Sequence, residues 1–165
     1  MHKQNLTMAF RVLLLDDSHG QNPQTLQVNV GKKTTNDVRL LKPVLRVDSI
    51  EHTTLRTWPK EFGNGDRMEV VFEMYADGEA SNRELYTNPW PGAQRAVGPV
   101  LLSFSWTYAR ADCDDDDEDD GESGYLDVDE VFPMENIVEY AATGDMSYLA
   151  EIRECTWEHI AGLYR

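Results

Sequence analysis

No lysine follows Lys60 in this chain of 165 residues, and beyond Arg95 only Arg110, Arg153 and Arg165 carry a fixed positive charge. That absence argues against a carboxyl-terminal half that grips nucleic-acid phosphates or an anionic membrane surface, since both need clustered Lys and Arg. Cysteine is scarce too. Cys113 and Cys155 form no CxxC pair and no evenly spaced framework, so reduced cytosolic thiols, or at most one bridge, are expected. The apolar stretch in MHKQNLTMAFRVLLLDD is broken by Arg11, is closed by Asp16 and Asp17, and has no small-residue cleavage site. Neither a signal peptide nor a membrane span is expected from it, and the expected compartment is the cytoplasm, that of an infected host cell included. GxGxxG, P-loop and GxSxG motifs are all missing, which removes support for phosphate cradling and for serine nucleophile chemistry.

What the chain does contain is enough to fold. Hydrophobic residues make up 41% and charged residues 27%, with four Trp, seven Tyr and five Phe, which is too apolar for a disordered chain. The length corresponds to one ordinary domain. The net charge of -15 is unevenly placed. Residues 1–97 hold twelve Lys or Arg against twelve Asp or Glu, whereas residues 98–165 hold three against eighteen, so the second part carries the whole excess. Such a field repels DNA, RNA and anionic lipid and attracts basic partners.

Alternation of apolar and polar residues marks the strands. In PVLLSFSWTYAR, Leu102, Phe104, Trp106 and Tyr108 share one face and Ser103, Ser105 and Thr107 the other, the pattern of a half-buried strand. RMEVVFEMYADG repeats it with Met68, Val70, Phe72 and Met74 inward and closes at Asp77-Gly78. AFRVLLLD and TLQVNVG are expected to pair across the loop DSHGQNPQ. VLRVDSIEHTTLRTW is an extended candidate with poorer alternation, NDVRLL a short helical turn before Pro43, and PKEFGNGD a loop leading into the Met68 strand. ASNRELYTNPWPGAQRAVGP is a longer irregular stretch. YLDVDEVF alternates Leu126 and Val128 against Asp127 and Asp129, so it is expected to be a strand returning from the acidic run.

The period then changes. PMENIVEYAATG opens at Pro133 and closes at Gly144, both suited to helix ends. Asp145 is placed to cap a final helix through MSYLAEIRECTWEHIAGLYR, with Leu149, Ile152, Thr156, Ile160 and Leu163 on one stripe. Strands followed by helices imply α+β. The expectation is a mainly antiparallel sheet of about five to seven strands with two carboxyl-terminal helices packed on it. It takes the form of a single domain over residues 1–165, mostly β over 1–132, with an acidic hairpin loop at 112–122 and helices over 133–165.

The acidic run supplies nine carboxylates in eleven residues: Asp112, Asp114, Asp115, Asp116, Asp117, Glu118, Asp119, Asp120 and Glu122. Three readings apply. A block of like charge is ordinarily a solvated loop. Asp116, Glu118, Asp120 and Asp127 fall at positions 1, 3, 5 and 12 of a calcium loop, with Gly121 at the bend, and could converge oxygens on one ion. The loop departs from that pattern in having Glu at position 3, Asp at position 12, Ser123 where a hydrophobe is usual, and strands in place of flanking helices. The third reading is recognition, in which the carboxylates imitate the spaced charges of a nucleic-acid backbone and occupy a basic groove on a partner.

RVLLLDDSHG resembles the start of receiver domains and of aspartate-dependent phosphatases, which would imply a small hydrolase using Asp16, Asp17 and His19. The resemblance spans about ten residues. PQTLQVNV alternates like a strand where a receiver has a helix, and Ser18 stands where the phosphatase pattern has its second aspartate. His2, His19, His52 and His159 offer no pair at i, i+4, while Cys155 and His159 do share that spacing, with Cys155 expected as a small core residue. Trp58, Trp90, Trp106 and Trp157 are core or interface anchors, and Trp90, between Pro89 and Pro91, is a candidate contact hot spot.

Together these residues lead to a non-enzymatic acidic protein of the inhibitor or immunity type. Its carboxylates from Asp112 to Glu122, with Trp90, would engage a basic surface on a nucleic-acid-handling or toxin partner. No cofactor is expected apart from the alternative of calcium, no nucleic acid or membrane is a direct partner, and the oligomeric state is open. The rival reading is a structural or assembly subunit, for instance of a virus particle.

Overall fold

A computed structural model describes residues 7–15, 23–31, 49–63, 65–77, 91–93, 99–110 and 121–163. The two segments of strictest alternation form the middle of the fold. RMEVVFEMYAD is strand β4 (Arg67–Asp77) and VLLSFSWTYA is β5 (Val100–Ala109), paired antiparallel with Phe72 opposite Phe104. Around them stand β1 (Thr7–Leu15), β2 (Gln24–Gly31), β3 (Ile50–Glu61) and β6 (Gly121–Leu126). The six-stranded antiparallel sheet has the order β2-β1-β5-β4-β3, with β6 also on β5. A single helical turn α1 (Val128–Val131), helix α2 (Met134–Thr143) and helix α3 (Glu154–Gly162) pack on one face, an α+β arrangement as expected.

β5 holds β4 along one edge and shares its other edge between two strands. β1 pairs there through Leu13–Leu15 with residues 100–102, and β6 takes over from Phe104 to Ala109. Where β1 leaves β5, Arg11 bridges the gap. Its backbone N–H donates to Asp127 Oδ1 at 2.8 Å and its guanidinium reaches Asp129 Oδ1 at 2.8 Å.

The inward residues of β4 and β5 meet the helices in one aromatic core. Phe72 and Phe104 stack with centroids 4.6 Å apart, Trp58 tilts against both, Phe132 lies 5.4 Å from Trp58, and Tyr140 of α2 approaches Phe72 edge-on. Such pairs contribute about 0.5–1.5 kcal/mol each beyond the area they bury. A smaller cluster of Phe10, Val12, Leu14, Tyr75 and Leu101 lies on the opposite face. β5 is therefore buried on both faces near β1, Ser103 included, rather than half-buried throughout.

Several boundaries differ from the sequence expectation, each for a local reason. YLDVDEVF is not one strand: β6 ends at Leu126, and Asp127, held by the Arg11 N–H, turns the chain into α1. Gly121 and Glu122 lie in β6, so the acidic connection between paired strands runs over residues 110–120. PKEFGNGD is not all loop, because β3 continues through Pro59 to Glu61 before the turn at Phe62–Asp66. An edge strand tolerates a proline that a central one would not.

The final helix is also broken. Met146–Leu149 is a 3-10 turn, and α3 starts only at Glu154. The N–H of Arg153 donates to Val131 O instead of closing a helical turn, and Thr156 Oγ1 donates to Glu130 O, which ties this segment to α1. Leu163 accordingly lies outside the stripe, 55% exposed. The helix ends at Pro133 and Gly144 do form. Gly144 has φ 74° and donates to Tyr140 O at 2.7 Å, and Asp145 accepts from the Ser147 N–H. The NDVRLL turn and residues 44–48 of the third extended segment lie outside the described residues.

Candidate functional site

The β5–β6 ladder runs for six rungs and closes at Ala109–Gly121. Residues 110–120 join its two ends, and 111–120 lie outside the described residues. Two local features fix this ladder, the stalk of the hairpin. Gly124 stands opposite Trp106, whose ring lies so close that a Cβ at Gly124 would meet it at 2.6 Å. Bare backbone at this rung lets the indole lie flat across β6. Tyr108, two residues nearer the end of β5, donates its hydroxyl to Asp66, which ties this end of β5 to the β3–β4 turn. That bond and burial raise the Tyr108 hydroxyl above its ordinary range.

Asp112, Asp114, Asp115, Asp116, Asp117, Glu118, Asp119 and Asp120 lie outside the described residues, as do Trp90, Asp16, Asp17 and His19. Glu122 pairs through its backbone with Tyr108. Next to Trp90, the turn Pro91–Ala93 packs tightly on α2, where a Cβ on Gly92 would approach Tyr140 O at 2.5 Å. Of the calcium-loop residues only Asp127 is described. Its Oδ1 accepts from Arg11 N–H and its Oδ2 lies 3.7 Å from the Arg11 guanidinium, so both oxygens face Arg11. Among the described residues, no group of three or more His, Cys, Asp or Glu could hold a metal ion. No helix among them is long and apolar enough to cross a membrane.

The helical layer extends the negative surface. Glu135, Glu139, Asp145, Glu151, Glu154 and Glu158 are exposed, against the single Arg153 on the same elements. Glu154 pairs with Lys60 at 3.5 Å, and Asp127 and Asp129 pair with Arg11. Among the described residues, Glu135, Glu139, Glu151 and Glu158 have no cationic partner. His159 lies 3.8 Å from Glu130. Cys155 is exposed, not a core residue: the buried side chains of α3 are Thr156, Trp157 and Ile160, and Cys155 falls on the flank of that stripe.

One polar cluster escaped the sequence. On the sheet face away from the helices, Glu73 accepts from the Tyr75 hydroxyl at 2.9 Å and lies 3.2 Å from His52 Nε2, while the His52 and Tyr75 rings stack at 4.8 Å. Burial, with Glu73 close by, pushes the Tyr75 hydroxyl well above its ordinary range. The available signal was alternation alone, which puts Glu73 and Tyr75 on one face. A bulge between Thr54 and Arg56 places His52 beside them, and no spacing rule anticipates it. No protein-family model, curated protein or solved structure matches this chain.

Proposed function

We propose that this protein is a non-enzymatic binding protein whose acidic hairpin occupies a basic surface on a nucleic-acid-handling or toxin partner. The observation that carries the reading is the closure of the β5–β6 ladder at Ala109–Gly121, which leaves a connection of eleven residues with eight carboxylates at one end of the sheet. Charges close together in one short stretch of chain act on a partner together, whereas the same number scattered over a surface would largely be screened beyond about 8–10 Å. An extended chain advances about 3.3 Å per residue, close to the roughly 3.4 Å per phosphate along one strand of duplex DNA, so consecutive Asp and Glu offer a comparable charge density. The exposed glutamates of α2 and α3 add to the field, which speeds encounter with a cationic surface and makes binding sensitive to salt.

The test is capture of partners from the native cell at low and high salt. The parent is compared with a variant in which residues 114–120 become Asn and Ser. The parent should retain a basic partner at low salt and release it at high salt, and the variant should retain none. A variant that keeps every partner of the parent would remove the basis of the reading.

A further inference from the structure

A cavity of about 570 Å³ opens beside the hairpin stalk, over the ends of β3, β4 and β5, within the size range of small-ligand pockets. Three rungs line it: Lys60–Met68–Tyr108, whose side chains turn toward the helices with the Lys60 ammonium on Glu154, and on either side of that rung Pro59–Glu69–Thr107 and, nearer the hairpin, Glu61–Arg67–Ala109. Side chains alternate across a sheet, so the residues of these two flanking rungs face away from the helices, opposite to Trp58, Met68 and Tyr108 in the core. Glu69 is half-buried in the inner rung. Among the described residues, neither Glu61 nor Glu69 meets a cation or a hydrogen-bond donor. A carboxylate without a counter-charge in a partly enclosed site is favourably placed to receive an incoming cation. Arg67 is the cross-strand neighbour of Glu61 and stands two residues from Glu69 on the same face, so the outward wall holds two carboxylates against one guanidinium.

We propose that this cavity takes an arginine side chain from the same basic partner that the acidic hairpin engages. The inference rests on the hairpin reading and gives that partner a second point of contact. Pro59, Thr107 and Ala109 offer an apolar bed for the three-carbon stem, and the guanidinium then reaches Glu69, where its planar fork can donate to both carboxylate oxygens. Ala109 belongs both to the cavity wall and to the rung from which the acidic connection departs, so one basic segment can reach both.

Two probes test this on the full chain. Arginine amide, titrated at low salt, should shift the backbone amide resonances of Glu69, Thr107 and Ala109 in the parent and in the hairpin-neutralised variant, and leave them unmoved in Glu69→Gln. An arginine nonapeptide should bind the parent, and Glu69→Gln should weaken it about tenfold, as expected for loss of one charge-assisted contact. Thr107→Phe, which fills the bed and keeps both carboxylates, should weaken it as well. If arginine amide moves none of these resonances, or if Glu69→Gln binds the nonapeptide as the parent does while the hairpin variant loses it, the cavity assignment is overturned and the hairpin reading stands. If only Glu69→Gln loses the nonapeptide, the cavity is upheld and the hairpin reading falls.

Discussion

Adding one methyl group at Gly124 tests the hairpin stalk directly. A Cβ there would lie 2.6, 2.8 and 2.9 Å from Cζ2, Cε2 and Nε1 of Trp106, closer than real Cβ atoms come. Trp106 is 7% exposed and packed in the main core, so its ring has little room to yield. Forcing an extra carbon into a filled site costs about 1–3 kcal/mol. Replacing glycine in a strand returns about 0.5–1 kcal/mol, because alanine has less conformational freedom to lose. Gly124→Ala should therefore lose about 1–2 kcal/mol, and a domain of this size then melts roughly 2–8 °C lower. Urea and thermal unfolding followed by far-ultraviolet circular dichroism measure the loss, and the near-ultraviolet tryptophan bands should change with it. In a Trp106→Leu background the clash is absent and the same substitution should be neutral or stabilising by up to about 1 kcal/mol, which a double-mutant cycle would show as a coupling of about 1–3 kcal/mol. If Gly124→Ala is as stable as the parent, or pays the full penalty without Trp106, the indole does not lie over β6. The six-rung register would then be wrong, and with it the closure at Ala109–Gly121.

Four further outcomes are expected. Tyr75 is held neutral in the folded state, so above about pH 10 the unfolded chain releases a proton that the folded one keeps, and stability falls as pH rises, by up to about 1.4 kcal/mol per pH unit for one such group. Tyr75→Phe should make urea midpoints less sensitive to pH between 9 and 11; an unchanged alkaline slope would assign it to other tyrosines. Asp127→Ala leaves the Arg11 N–H without its acceptor and should cost about 1–1.5 kcal/mol, more than the loss from Glu135→Ala, an exposed glutamate with no cationic partner among the described residues. The Arg11 guanidinium pairs are largely exposed, so weakening them with 1 M salt should cost less than about 1 kcal/mol. Gly144→Ala forces a side chain into the left-handed region and should destabilise the end of α2 by about 1 kcal/mol, read as a lower melting temperature.

The parts of the fold legible from sequence were those in which one physical rule acted alone. β4 along most of its length, and β5 beyond Phe104, lie against a single helical layer and alternate accordingly, so Met68 through Met74 and Phe104 through Tyr108 announce their face. β3 was harder because of its bulge. Ile50 and His52 face away from the helices while Trp58 faces toward them, since the extra residue near Leu55 reverses the parity and makes a real strand look irregular. Val128 and Val131 are buried as their apolar character demands, yet by a helical turn, because a long-range bond from Arg11 to Asp127 intervened. The break before α3 has the same origin in the Arg153–Val131 bond. For the site, charge blocks and turn chemistry placed the acidic run between two antiparallel strands. The cavity beside it was invisible, because Pro59, Glu69 and Thr107 come together only through register across three strands.

A ladder sealed at Ala109 and Gly121 also makes the length of the acidic tip nearly independent of folding. The entropy of closing a chain between two paired strands grows only logarithmically with its length, so halving or doubling the length alters stability by roughly 0.6 kcal/mol. Residues could be gained or trimmed there with the aromatic interior untouched. If the proposed function holds, grip on a cationic target and integrity of the scaffold can be adjusted separately, by insertion in one place and by packing in another.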